Sequence, residues 1–369
     1  MTDDVVLRLD EVHALASAAL IPTGLGADHV RSIADVTTDA ERDECTSHGL
    51  FRIPAYAEGV RSGRVNPTAQ PTLETVLPSI LRVDAQHGYA QLALDLYLDA
   101  LTEAARENGM AAMAITHCHQ VAALWHEVER LASAGIVAMA MTTSRAAVAP
   151  AGGTQPVYGT DPFAFAWPRR EHPPVVFDQA SSASARGEIM PRERAGTELP
   201  DGWAIDRHGR PTTDPTAALD GAQLAFGGHK GASIAMMVEL LAGPLIGQAM
   251  SFDSSEASTA RGPLSLAGGF IVAFDPTALS PHDDPAVQAD HAERLFARIL
   301  EQDGTRLPSD RRVAARERTT THGVTTSRTL YEARAQAAVA TSSLNFSDGV
   351  IQPSVSRGRS LSSAAMASS

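Results

Sequence analysis

The chain has 369 residues, 44% of them apolar, with 30 basic against 43 acidic side chains and a formal net charge of -13. That length predicts about two domains with a sizeable core, and the negative balance argues against a nucleic-acid or anionic-membrane partner. Two cysteines, Cys45 and Cys118, exclude a disulfide scaffold and fit a reducing cytoplasm, and neither a spanning apolar run nor a basic leader is visible. The 30 basic residues include a single lysine, Lys230.

Within residues 10–45, Leu15, Ala18 and Ala19 recur at helical spacing. A break at residues 22–26 is followed by a second amphipathic run from 28 to 45. The chain then leaves the helix through Ser47-His48-Gly49. Residues 91–107 form a strong amphipathic pattern closed by Asn108-Gly109, and 111–115 read as a short buried strand. A helix over 123–134, closed by Gly135, and a strand over 136–141 continue the alternation, which predicts α/β architecture. Further strands are expected at 163–167, 175–177 and 269–274, with a helix at 230–247. Gly/Pro-rich stretches at 149–159 and 191–215 are expected to be ordered functional loops. From 342 to the end, ten of 28 residues are serine, so a tail over 336–369 is set apart as disordered from a catalytic unit over 1–335.

Several familiar nucleotide signatures are missing. Gly24-Leu25-Gly26-Ala27-Asp28-His29 lies between helices rather than after a strand, and neither a P-loop nor a G-x-S-x-G elbow occurs. Five stretches carry polar chemistry. In Ser47-His48-Gly49-Leu50-Phe51-Arg52 the histidine is suited to moving a proton near neutral pH, and the arginine to gripping a carboxylate. A helix continuing past Gly49 would put His48 and Arg52 on one face; the alternative is a solvated polar loop. Thr116-His117-Cys118-His119-Gln120, followed by Trp125-His126-Glu127, offers soft donors but too few converging ligands for zinc, so no metal is expected. Gly152-Gly153 with Tyr158-Gly159-Thr160-Asp161 reads as a ligand-contacting loop or a plain turn. Asp178-Gln179-Ala180-Ser181-Ser182, leading to Arg186-Gly187-Glu188, places an acid and hydroxyls where a strand meets a loop. Phe226-Gly227-Gly228-His229-Lys230-Gly231 opens a helix as a phosphate site or as a glycine-rich cap with a surface lysine.

Taken in order, ERDECTSHGLFR, ALWHEVE, PVYGTDPFAFAWPR, VVFDQASSASARGEI, FGGHKG and MVELL resemble the type-2 malate/L-lactate dehydrogenase family over roughly residues 5–335. Within it the similarity is strongest to the Δ1-piperideine-2-carboxylate/Δ1-pyrroline-2-carboxylate reductases. The resemblance implies a non-Rossmann α/β (α+β) fold, a mainly antiparallel sheet surrounded by helices. It also implies a cytoplasmic homodimer whose cofactor site is shared across chains. NADPH, with NADH weaker, would reduce a cyclic imine carboxylate to L-pipecolate or L-proline. His48 would be the proton donor, with Ser47 and Glu188 as relay; Arg52 and Thr160 would bind substrate. The cofactor would meet His119, Gln120, Val121, Ala122, Ala123, Leu124, Asp178, Gln179, Ala180, Arg186, Gly187, His229, Lys230, Arg306, Arg311 and Arg312. The pattern departs from the family at Gln120 (histidine there), Asp161 (asparagine), Ser181 (threonine) and Glu188 (aspartate). Two other readings stand beside it: a 2-hydroxy-acid dehydrogenase of malate or lactate type, and a non-catalytic cofactor-binding paralogue.

Overall fold

The computed structural model describes residues 4–119, 123–256, 266–282 and 284–339. In chain order they form β1 (Asp4–Leu7), α1 (Leu9–Leu20), α2 (Ala27–Arg42), α3 (Ile53–Arg61), β2 (Thr72–Leu77), β3 (Ile80–Asp84), α4 (Ala90–Asn108), β4 (Met110–His119), α5 (Trp125–Ser133) and β5 (Val137–Thr142). There follow β6 (Phe163–Trp167), β7 (Val175–Gln179), α6 (Arg186–Ala195), β8 (Ala204–Ile205), β9 (Pro211–Thr212), α7 (Pro215–Asp220), β10 (Ala222–Gln223) and α8 (His229–Ala242). The chain ends with α9 (Ser251–Glu256), β11 (Leu266–Phe274), α10 (Pro276–Leu279), α11 (Pro285–Leu300), α12 (Asp310–His322), β12 (Val324–Ser327) and α13 (Arg328–Val339). Helix α13 runs past residue 335; from residue 340 the serine-rich tail lies outside the described residues.

The centre is a seven-stranded sheet in the order β2-β3-β4-β11-β5-β6-β7. Every pairing is antiparallel except β3 with β4. The strand–helix–strand rhythm of β4, α5 and β5 is therefore a crossover with β11 inserted: β11 runs antiparallel to both, so β4 and β5 share a direction. This mixed, mainly antiparallel sheet wrapped by helices matches the expected class.

Helix α4 shows why the amphipathic pattern folds as it does. Leu94, Leu98, Leu101 and Ala105 recur three or four residues apart and are buried against Met113, Ile115 and Ile271 of the sheet. Each fully buried leucine contributes about 1.5–3 kcal/mol. A second core packs α1, α2 and α3 around Ile33, Leu50, Tyr56 and Tyr89. Between the two cores, α2 leads directly into the Ser47–Arg52 segment.

Some boundaries differ from the sequence expectation. The helix expected to reach residue 247 stops at Ala242, and a separate 3-10 turn follows over Pro244–Ile246, because Pro244 has no N–H for a continuing helix. The 191–215 stretch is not all loop, since α6 extends to Ala195 and contains Pro191. The β2–β3 hairpin, α3, and helices α11 to α13 carried no expectation.

Candidate active site

After α2 the chain makes a 3-10 turn over Thr46–His48 and a second over Leu50–Arg52, which runs into α3. The continuous helix that would align His48 with Arg52 is absent, because Gly49 breaks it at φ -87°, ψ -142°. Buried Glu41 explains the break. Its Oε1 accepts the Leu50 N–H at 2.7 Å, and a Cβ at Gly49 would collide with that carboxylate. Burial also pushes the Glu41 carboxyl above its usual range. The two side chains meet by another route: Arg52 Nε donates to the Ser47 carbonyl at 2.8 Å, and Ser47 Oγ lies 3.1 Å from His48 Nδ1. Burial, then the Arg52 charge, pushes the half-buried imidazole down to about 3, so it is neutral around pH 7. The Arg52 guanidinium is itself lowered by burial, and Tyr56, fully buried on α3, lies beside it.

The first turn of α6 closes over this pair. A Cβ built on Gly187 would stand 3.7 Å from Ser47 Cβ and 4.0 Å from Arg52 Nη2. Glu188, expected as the relay acid, is turned elsewhere. At the third position of α6 its Oε2 accepts the Ala185 N–H at 3.0 Å, and it makes no hydrogen bond to Ser47 or His48. Arg186 is exposed beside it. Thr160 is held from both sides: its N–H donates to Ser144 Oγ at 3.0 Å, and its carbonyl accepts the Ser181 N–H at 2.7 Å. The segment from Ser181 to Gly187 thus runs from Thr160 to the roof over Ser47 and Arg52.

Asp178 joins two of the expected cofactor stretches. Its Oδ2 accepts the N–H groups of Leu124 at 2.7 Å and Trp125 at 2.9 Å, capping α5, and burial pushes its carboxyl up to about 6. Ala123 is half-buried beside Leu124, Gln179 is exposed and Ala180 half-buried. Gln120, Val121 and Ala122 lie outside the described residues. His119 is buried, with Nε2 3.0 Å from the Arg64 carbonyl. His229 and Lys230 are exposed at the start of α8, behind the open backbone of Gly227 and Gly228. Arg306 and Arg311 are exposed and hold no ion pair among the described residues.

Arg312 is different from its neighbours. Its side chain is 14% exposed, its Nη1 lies 3.2 Å from Glu129 Oε2, and its guanidinium sits 4.5 Å from the Trp125 ring centroid. One helical turn on, Arg316 grips Asp43 at 2.6 Å and Glu129 at 3.0 Å. Arg312 thus joins this buried cluster through Nη1, while its Nη2 is buried with no hydrogen-bond partner among the described residues. Asp43, Glu129 and Arg316 were not singled out from sequence; the only available signal was the i, i+4 spacing of the arginines on α12.

The His117–His119 stretch separates. His117 Nδ1 lies 3.1 Å from Asp84 Oδ1, whereas His119 faces Arg64. The buried Cys118 S–H contacts the Ala267 carbonyl, and burial pushes its thiol up to about 12. Among the described residues no group of three or more His, Cys, Asp or Glu side chains is placed to hold a metal.

Exposed Lys230, Arg306 and Arg311, which hold no ion pair among the described residues, and a helix start behind open glycine backbone suit the phosphates of a dinucleotide. A half-buried Arg–His pair suits a small carboxylate. A family model described as malate/L-lactate dehydrogenase matches residues 7–333. The Δ1-pyrroline-2-carboxylate reductase of Ancylobacter novellus is 48% identical over 324 residues, 88% of this chain and 95% of the relative. An NADP(+)-dependent (2R)-3-sulfolactate dehydrogenase of Chromohalobacter salexigens is 43% identical, covering 84% and 92%. Among solved structures, Δ1-piperideine-2-carboxylate reductase from Pseudomonas syringae pv. tomato superposes with a TM-score of 0.85 and 36% identity, over 90% of this chain and 99% of that one. The chain belongs to the malate/L-lactate dehydrogenase family. It is an oxidoreductase whose family works with a nicotinamide cofactor.

Proposed function

We propose that the protein reduces a cyclic imine carboxylate with NADPH, turning Δ1-pyrroline-2-carboxylate into L-proline and Δ1-piperideine-2-carboxylate into L-pipecolate. The observation that carries this reading is the Ser47–His48–Arg52 arrangement, a neutral imidazole beside a guanidinium. The names of the relatives at 48% and 36% identity agree with it.

Arg52 takes the substrate carboxylate, fixing which face of the ring is presented; a charge-assisted bond of this kind is worth about 1.5–3 kcal/mol. That carboxylate offsets the charge that repels a proton from His48. The imidazole then gains a proton and supplies it to the ring nitrogen as the adjacent carbon is reduced. Ser47 Oγ holds Nδ1, which leaves Nε2 for the substrate. Thr160 and the Gly187 backbone close the other side. A bound nicotinamide supplies the hydride, and the chain's residues position, orient and exclude water. Lys230, with Arg306 or Arg311, reads the 2′-phosphate that distinguishes NADPH from NADH. Glu188 would join the relay by leaving its helix cap when substrate arrives.

The functional unit in this reading is a cytoplasmic homodimer. Exposed His229, Ser233, Met236 and Leu240 share one face of α8, so an apolar stripe adjoins the residues assigned to the cofactor phosphate.

Absorbance of NADPH is followed with the two cyclic imines, pyruvate and oxaloacetate in turn. Turnover of the imines is expected. Turnover of the keto acids alone replaces this reading with the 2-hydroxy-acid dehydrogenase that the sulfolactate relative favours. NADPH binding without turnover of any substrate marks a non-catalytic paralogue.

A further inference from the structure

Behind Thr160 lies a pair of acids that the mechanism above does not use. Asp161 is fully buried and Glu239 is 4% exposed. Glu239 accepts two backbone N–H groups, from Gly159 at 3.3 Å and Ser251 at 3.0 Å. Asp161 Oδ1 accepts the Ser251 hydroxyl at 3.2 Å, and Ser251 Oγ in turn accepts the Ser144 N–H at 3.3 Å. Asp161 Oδ2 is buried, and among the described residues no donor reaches it.

A carboxylate oxygen left this way is costly, and two adjoining buried carboxylates do not both ionise. One proton on Asp161 resolves both problems, because the Oδ2 hydroxyl then donates to Glu239. The proton belongs on Asp161, since Glu239 is the one whose charge two N–H groups stabilise. Asp161 also sits at φ +39°, a left-handed conformation that a non-glycine residue keeps only when its surroundings enforce it.

We propose that Asp161 is a positioning residue, whose protonated carboxyl, bonded to Glu239 of α8, holds the Gly159–Asp161 turn that presents Thr160 to substrate. The turn is fixed at three points: Glu239 through Gly159 N–H, Ser144 through Thr160 N–H, and Ser181, whose hydroxyl donates to the Asp161 carbonyl at 2.7 Å. Ionising Asp161 sets two charges against each other directly beneath it. Burial and the Glu239 charge both hold the Asp161 carboxyl well above the usual carboxylate range. Glu239 is the titratable group acting on it from α8; Ser251 of α9, Ser144 and Ser181 are uncharged. The positioning role rests on the proposed function, whereas the shared proton does not.

The test compares wild type with Asp161→Asn, whose amide donates to Glu239 at every pH. A folded state that keeps a proton the unfolded chain releases loses stability as pH rises from about 4 to the folded-state pKa. The Tm advantage of Asp161→Asn over wild type is therefore expected to widen across that span. A pH-independent difference overturns the shared proton. Should the variant fail to fold, wild type labelled with 13C at the aspartate carboxyl carbon answers the same question: one resonance must stay protonated through pH 7, and none doing so overturns it. For positioning, the alkaline limb of kcat/KM for the cyclic imine is expected to move up by at least one pH unit in Asp161→Asn. An unmoved limb, with the stability gap widening, overturns the positioning role and leaves the proton. A wild type that turns over no substrate overturns the proposed function and, with it, the role for Thr160.

Discussion

Burial and the Arg52 charge hold His48 neutral at pH 7, the property on which the proposed reaction turns. Its depressed pKa means that the folded state excludes a proton the unfolded chain would bind. Its contribution to stability is therefore present above about 6.5 and is lost as pH falls towards about 3. In the proposed reaction a donor that starts neutral is charged as substrate binds, the Arg52-bound carboxylate offsetting the second, coulombic cause of the depression. Binding of pyrrole-2-carboxylate, a planar analogue, should accordingly take up a proton near pH 7. Calorimetry in buffers of different ionisation enthalpy measures the uptake, and His48→Asn should abolish it. The same variant should lower kcat by about 10²–10⁴-fold while leaving the NADPH Kd nearly unchanged; retained turnover would remove His48 from the donor role. Both residues were visible in the sequence as a histidine four places before an arginine. The means by which they meet was not visible. It depends on Glu41, nine residues before Leu50, filling the space where a side chain at position 49 would stand. A contact between residues distant along the chain leaves no periodic trace.

At the scale of the element, α8 combines two roles. Its first turn presents the chain's only lysine, and Met236 and Leu240, 49% and 51% exposed, follow on the face that begins with His229. Lys230→Met should raise KM for NADPH about tenfold or more, in line with the loss of one charge-assisted contact, with much less effect on NADH. Equal effects on both cofactors would make the lysine a bystander. If the apolar stripe faces a second copy, Met236→Glu with Leu240→Glu should shift the molar mass by light scattering from two chains to one and weaken NADPH binding in parallel. A monomeric wild type would end that reading. Helices with a strong stripe, α2, α4 and α5, were legible because burial on one face imposes a 3.6-residue period. Helix α6 was not: it buries only Ile189, contains Pro191, and is initiated by the Glu188 cap rather than by a hydrophobic pattern. Its position over Ser47 and Arg52 left no signature either: a Cβ at Gly187 would meet Ser47 and Arg52 only at ordinary van der Waals distance, so the approach does not require a glycine.

Across the whole molecule, the two halves of the proposed site are tied together by a buried charge cluster that lies outside either half. Asp43 follows α2, just before Ser47 and His48; Glu129 and Trp125 belong to α5, whose start Asp178 caps; Arg316, with Arg312 one turn before it, comes from α12, 273 residues further along than Asp43. The Asp43 side chain is fully buried and is reached by Arg42 at 2.8 Å, Arg316 at 2.6 Å and Arg312 at 3.7 Å. Hydrogen bonds to Asp43 and Glu129 hold the Arg316 guanidinium well above its ordinary range, so it remains charged at every accessible pH. Stranding a buried charge altogether costs about 3–5 kcal/mol. Arg316→Met leaves Asp43 with Arg42 and a more distant Arg312, so a smaller loss of about 2 kcal/mol is expected, read as a lower denaturant midpoint at unchanged slope. The functional consequence separates this tie from ordinary packing. Freed from Arg316, the turn after α2 that carries His48 and the α5 start that follows Ala123 and Leu124 lose their common anchor, so KM for substrate and for NADPH should rise together. A change in only one of the two constants would show that the halves of the site are held independently, and that α12 contributes stability alone.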